Sequence, residues 1–272
     1  MNAREIKTVA VVGASGEMGR VFVSFCRAAG QEVRELGRPL TPQKLEATLA
    51  GADLVLLCVP IGAMRETLGA VAPHLTGGQI LADACSVKSI PLEQMLRAYA
   101  GPVVGTHPMF GGNLPEKSER RVAVTPGRID AAAERVSAWL AGLGFAPFAT
   151  TAREHDQSMA LIQGLNFVTT VSYLSCTAQQ PGIERFLTPS FKRRLIAAQK
   201  MLTLDAGLFE AIFEGNPASM EAVRKFSAHL SVAAGGDVNL LVERARWWWR
   251  GQGAGLPGAP NGTVNNNFDP RE

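Results

Sequence analysis

The chain has 272 residues, of which 46% are apolar and 19% charged, a balance that builds a buried core rather than a disordered chain. Its net charge of +3, from 27 basic and 24 acidic residues without a long basic run, argues against a nucleic-acid partner and leaves small anionic ligands, which need only a few local cations. Cys26, Cys58, Cys85 and Cys176 lack CxxC spacing and fall mostly in apolar contexts, so reduced thiols in a cytoplasmic protein are expected rather than disulfides, and no metal site.

The opening "MNAREIKTVAVVGASG" enters a strand pattern directly, so no signal peptide is expected. "KTVAVVGASGEMGRVFVSFCRAAG" reads as strand, glycine turn, helix. Val9 to Val12 form the continuous apolar run of a strand buried on both faces. The helix spans about Glu17 to Ala29 and stops at Gly30. "EVRELG" is a second strand and "ADLVLLCVP" a third, ended by Pro60. "GGQILADAC" and "PVVGTH" supply two more, with helices near Met64–Val71 and Pro91–Ala98. "RVAVTP" is a sixth strand, followed by a helix from about Asp130 to Leu143. This alternation predicts an α/β fold over residues 1–150, a Rossmann-like, doubly wound, mostly parallel sheet. From Thr151 to Arg250 the period is helical. "EHDQSMALIQGLNFVTTVSYLSCTA", "PSFKRRLIAAQKML", "PASMEAVRKFSAHLSVAA" and "DVNLLVERARWWWR" mark four helices, so an all-helical domain is expected over 151–250. Residues 251–272, rich in Gly, Pro and Asn, read as a flexible tail. No apolar run approaches the length needed to cross a bilayer, and no membrane partner is expected.

"VVGASGEMG" places Gly13, Gly16 and Gly19 between the first strand and the first helix. Glycines there allow a tight turn and close approach of a pyrophosphate to free helix N–H groups. The spacing is GxxGxxG, and its place at the head of a βαβ unit makes it a dinucleotide site. Gly13, Ser15, Gly16, Glu17 and Met18 are the residues expected against the cofactor. At the end of the second strand, Gly37 stands where a carboxylate would bind a ribose 2′-hydroxyl, and Arg38 follows. A guanidinium suits a 2′-phosphate, which favours NADP over NAD. Glu35 is the competing reading, but strand alternation turns it away if Leu36 is buried.

In "VVGTHPMFGG", His107 stands at the C-terminal end of a strand, where open α/β sheets present ligands. Histidine titrates near neutrality and suits a general base. Ser86 in "ACSVKS" also follows a strand, where a serine reads as a helix N-cap. "FKRRLIAAQK" puts Lys192, Arg193, Arg194 and Lys200 on one helix. Arg193 and Lys200 fall about 20° apart on an ideal helix, although a charge run is usually a solvated face.

Taken in order, "GEMGR", "LLCVPI", "LADACSVKS", "GTHPMFG", "EHDQSMALIQGL" and "TPSFKRRLIAAQKML" resemble the prephenate dehydrogenase family, the TyrA-type enzymes of tyrosine biosynthesis. The likeness spans about Gly13 to Leu202 and is closest to the dehydrogenase portion of bacterial bifunctional chorismate mutase–prephenate dehydrogenases; a mutase portion has no counterpart in these residues. The resemblance implies a homodimer and oxidative decarboxylation of a small dicarboxylate, a cyclohexadiene that loses hydride from C4 and carbon dioxide from its ring. It implies His107 as the base and Ser86 as its neighbour. Val59 and Pro60 would lie beside the nicotinamide, and Lys192, Arg193, Lys200 and Gln163 at the substrate. Two departures stand out. Lysines occupy 192 and 200, where similar enzymes carry arginines. Phe167 stands where many members carry a second histidine after the retained His155. These differences keep 4-amino-4-deoxyprephenate and arogenate open beside prephenate. A non-catalytic NADP-sensing module is the reading from another class.

Overall fold

A computed structural model describes residues 5–250; residues 1–4 and the expected tail, 251–272, lie outside the described residues. The first βαβ unit is β1 (Thr8–Val12), α1 (Glu17–Ala28) and β2 (Glu32–Leu36), followed by α2 (Pro42–Leu49), β3 (Leu54–Leu57) and α3 (Met64–Val71). Then come β4 (Ile80–Asp83), α4 (Ser89–Ala98), β5 (Val103–Pro108), β6 (Arg121–Pro126), α5 (Asp130–Gly142) and β7 (Ala146–Ala149). They form one seven-stranded sheet in the order β2-β1-β3-β4-β5-β6-β7. Every pairing is parallel except β5 with β6, which is antiparallel. The order reverses at β1, which opens a crevice at the carboxyl edge of the sheet.

The central strands are apolar throughout because helices cover both faces. Val9, Val11, Leu54 and Leu56 pack with Phe22 of α1 and Trp139 of α5 on one side. Ala10, Val12, Val55 and Leu57 pack with Leu45, Met64 and Met95 on the other. At roughly 25 cal/mol per Å² of apolar area removed from water, these two layers supply the main drive to fold. β7, "APFA", escapes the sequence reading because it is a short edge strand without a buried residue and shows no period. α2 escapes it too; Thr41 caps that helix by accepting from Lys44 N, with Pro42 in its first turn.

Beyond the sheet come α6 (Ala152–Met159), a π-helical stretch (Ala160–Leu165), α7 (Asn166–Ala178), α8 (Pro189–Thr203), α9 (Ala206–Gly215), α10 (Ser219–Ala234) and α11 (Val238–Ala245). α9 is a further helix that the sequence reading lacks. Residues 152–178 run as one 27-residue helix whose best 18-residue window has mean hydropathy 1.2, long and apolar enough to cross a membrane by length and composition alone. This corrects the expectation that no run reaches that length. The polar start "AREHDQ" hides it, while residues 159–176 carry no charge; only 28% of the window is buried. The chain divides into two compact units between Ala222 and Val223. In the second unit Trp247, Trp248 and Trp249 are all more than half exposed.

Candidate active site

The glycine turn is set by contact. Gly13 has φ of 84°, and a Cβ there would lie 2.3 Å from the Cys58 carbonyl oxygen at the end of β3. A Cβ on Gly19 would lie 2.2 Å from the Gly13 oxygen. Any side chain at either position would fill the cradle. Gly16 caps α1 without any side-chain acceptor, so the N–H groups of the first helical turn stay available to an anion. Ser15, Gly16 and Glu17 are exposed and Met18 is half-buried. The residues therefore fit a dinucleotide pyrophosphate.

At the end of β2, Leu36 is buried and Glu35 pairs with Arg27 of α1, turned from the pocket as alternation requires. Gly37 lies beside the turn, its virtual Cβ 3.9 Å from Ser15 Oγ. Arg38 is exposed and holds Glu66 at 3.4 Å. It lines a cavity of about 520 Å³ with Pro39, Leu40, Glu66 and Ala70. Val59 is half-buried, its carbonyl accepting from Cys85 Sγ at 3.6 Å, and Pro60 is exposed.

His107 lies within β5 rather than beyond it, and is 2% exposed. Its Nδ1 is 2.8 Å from His155 Nε2. His155 Nδ1 in turn is 2.9 Å from Asp156 Oδ1. Asp156 accepts from the backbone N–H of Lys88 at 2.7 Å and of Ser89 at 2.8 Å, both at the head of α4. Asn216 Nδ2 donates to the Asp156 carbonyl at 2.8 Å. The tautomers follow from this chain. A carboxylate only accepts, so His155 Nδ1 carries a proton. His155 Nε2 is then an acceptor, and His107 Nδ1 donates to it. His107 Nε2 is left with its lone pair bare, as a base requires.

The electrostatics agree. Burial, then the neighbouring His155 and Lys88, push the His107 pKa well below the ordinary histidine range, against the opposing pull of Asp156. Burial raises Asp156, but hydrogen bonds from His155, Ser89 and Lys88 outweigh it and hold the carboxyl below its usual value. The imidazole is therefore neutral at neutral pH, with a fixed anion two hydrogen bonds away.

Ser86 sits half-buried in the bend between β4 and α4. The N-cap reading is corrected: Lys88 holds that position without a side-chain cap of its own, and the Asp156 carboxylate caps α4 from α6. On α8, Lys192, Arg193 and Lys200 are exposed. Lys200 pairs with Asp205 at 2.9 Å. That hydrogen bond and charge raise its pKa, and Glu17 at the nucleotide turn adds to the effect. Lys200 is thus near the turn. No such link is found for Lys192 or Arg193 among the described residues. Glu17 Oε1 also accepts from Gly112 N at 2.9 Å, tying the glycine turn to the loop after β5. Gln163, in the π-helical stretch, has a buried Oε1 without a hydrogen-bond partner. Phe167 is buried and stacks on Phe209 of α9, ring centres 5.7 Å apart.

Asp156, Asp83 and Lys88 are absent from the sequence reading of the site. The signals were present in "EHD", an acid beside a histidine, and in "ILADAC", a lone acid ending an apolar strand.

Residues 31–125 match the family model for the prephenate dehydrogenase nucleotide-binding domain. The chain is 32% identical over 212 residues to the T-protein of Haemophilus influenzae, covering 76% of this chain and 56% of that protein. It is 30% identical over 186 residues to a 4-amino-4-deoxyprephenate dehydrogenase of Streptomyces pristinaespiralis, covering 60% of each. The chain thus spans little more than half the length of these relatives. Its fold superposes with a TM-score of 0.73 on a prephenate dehydrogenase from A. aeolicus in complex with hydroxyphenyl propionate and NAD+, at 18% identity, covering 90% of this chain and 97% of that one. Residues 31–125 thus match the nucleotide-binding domain of prephenate dehydrogenases, and over most of its length the chain is similar to T-proteins and shares the fold of a prephenate dehydrogenase.

Proposed function

We propose that the protein is a nicotinamide-dependent oxidative decarboxylase of prephenate or a close analogue, yielding a 4-substituted phenylpyruvate. The observation that carries this reading is the His107–His155–Asp156 chain at the carboxyl edge of β5. It orients a neutral imidazole with Nε2 bare, in the same edge as the glycine turn. A sensing module has no use for a base held in one tautomer.

Gly13, Ser15, Gly16, Glu17 and Met18 would hold the pyrophosphate and Val59 and Pro60 the nicotinamide end, which would supply a hydride acceptor. Gly37 and Arg38 would receive the adenosine end, and the exposed guanidinium favours NADP. His107 Nε2 takes the proton from the C4 substituent. Charge arriving on the imidazole is stabilised through His155 by Asp156, as in other relays of an acid, a histidine and a reacting group. The ring carboxylate leaves as carbon dioxide, and aromatisation makes the step nearly irreversible. Ser86 follows β4, the neighbour of β5, and binds the same substituent. Lys200, with Lys192 and Arg193, meets the substrate carboxylates, and Gln163 offers a buried acceptor.

Phe167 favours a second reading within the class. A ring stacked on Phe209 replaces a polar contact with an apolar wall, which suits a re-tuned pocket such as one for 4-amino-4-deoxyprephenate. We further propose a cytoplasmic homodimer. Phe186, Ile196 and Leu204 each expose over 70% of their surface, more apolar area than a lone helical layer leaves open.

The test is direct. Protein is mixed with NADP or NAD and with prephenate, 4-amino-4-deoxyprephenate or arogenate, and reduced cofactor is followed by absorbance. Turnover with prephenate supports the first reading and turnover with the amino analogue alone supports the second. Cofactor binding without turnover on any of them would overturn both.

A further inference from the structure

Lys88 and Asp83 are both wholly buried and pair directly, beneath the strand that carries His107. Lys88 Nζ also donates to the carbonyl of Thr106, the residue before His107, at 2.6 Å. Asp83 accepts from Cys85 N at 2.9 Å and from Thr106 N at 3.3 Å, and the Thr106 hydroxyl donates to the Asp83 carbonyl. Gly105 gives the pair room. A Cβ there would come within 3.2 Å of Lys88 Cδ and 3.4 Å of Thr125 Cβ. Burying two ions costs more than an apolar pair of the same volume unless geometry and hydrogen bonds compensate. The sheet already has apolar residues at the neighbouring positions, so core stability alone does not account for a pair in this place.

We propose that Lys88, held by Asp83, is a positioning residue for the base: it pins the β5 backbone at Thr106 and sets a fixed positive charge beside His107 that opposes Asp156. The proposal rests on His107 being the base. The charged and titratable groups that face the imidazole are His155 and Asp156 from α6, and Lys88 from the head of α4 with its partner Asp83 on β4; β6 sets Ala123 opposite it. Asp156 alone would draw His107 toward the protonated form, in which Nε2 accepts nothing. Lys88 disfavours that form, so the relay orients the imidazole without charging it.

The test uses Lys88→Met together with Asp83→Asn, which removes both charges and leaves neither ion buried alone. Histidine ring nitrogens are followed by NMR against pH in both proteins, with His107 assigned by its loss in His107→Asn. The acid limb of kcat/KM is measured in parallel. The expected result is a His107 midpoint raised by about half a pH unit, less than one nearby charge gives because the more distant Asp83 charge goes with it, with the acid limb moving equally and cofactor affinity unchanged. A merely structural pair would lower melting temperature and kcat but leave the midpoint in place, and an unmoved midpoint overturns the proposal. Should the double variant not fold, Gly105→Ala crowds the Lys88 stem more gently, and there too an unmoved midpoint with unchanged kcat overturns it. The readings separate cleanly. A raised midpoint in a protein that turns over none of the substrates supports the positioning role and removes only the reaction.

Discussion

His107, His155, Asp156, Asp83 and Lys88 are each at most 4% exposed, and each has a bonded partner. Lys192, Arg193 and Lys200 stand exposed on α8, and among the described residues Lys200 is the one of the three tied to a carboxylate. The two ends of the candidate site therefore follow opposite physics. A buried ion must be paired and fully hydrogen-bonded, so the base end is rigid before any ligand arrives, and its orientation is set during folding. A surface cation is solvated, and its ion pair is worth about 0–1 kcal/mol. On the proposed function, the anion end gains its strength when substrate carboxylates displace water, so proton transfer is preorganised and substrate capture is left adjustable.

The sharpest way to break this contrast is His107→Asn. Turnover should fall by about 10² to 10⁴-fold, the usual worth of a positioned base, while NADP affinity, read by fluorescence titration, stays put. Unchanged turnover would remove the base assignment. Asp156→Asn should be nearly as severe, about 10²-fold or more in kcat, because an amide no longer dictates the His155 tautomer. It should also cost about 1–3 kcal/mol in urea unfolding, since the carboxylate caps α4 through two backbone N–H groups.

Acid pH probes the same end with no mutation. Since the folded His107 pKa lies below its unfolded value, the unfolded chain binds the proton more tightly. This group's contribution to stability is thus complete above about pH 6.5 and is lost as pH falls toward the folded value. kcat/KM should lose about tenfold per pH unit only below the ordinary histidine range. A limb centred at or above that range would contradict the depressed imidazole.

The anion end predicts smaller and uneven effects. Lys200→Ala should raise the substrate KM by about 10 to 100-fold, the value of a charged hydrogen bond. Lys192→Ala should change it less than about threefold, as for a solvated lysine. Equal effects would mean that the Asp205 pairing does not select the working cation. Arg38→Ala should weaken NADP by about fivefold without touching NAD, measured as the ratio of the two KM values.

How far the residues alone could be read depends on the range of the interactions. β1, the glycine turn and α1 are legible because apolar runs, Gly13 and Gly19 act within one βαβ unit. β7 is not, because "APFA" has neither period nor burial and owes its strand form to pairing with β6. His107 is visible as a histidine at a strand end. Its working state is invisible there, because the group that sets its tautomer comes from α6 and its opposing charge from the head of α4.

By itself, the sequence determined which residues meet at the carboxyl edge of the sheet, since strand direction and turn position are local matters that place Gly13, Pro60, Ser86 and His107 side by side. Only the tertiary structure decided what His107 is. His155 reaches it across 48 residues, and Lys88 reaches the carbonyl of Thr106 across 18. Burial then removes the water that would otherwise screen those contacts, so protonation is governed by neighbours that no local pattern brings together.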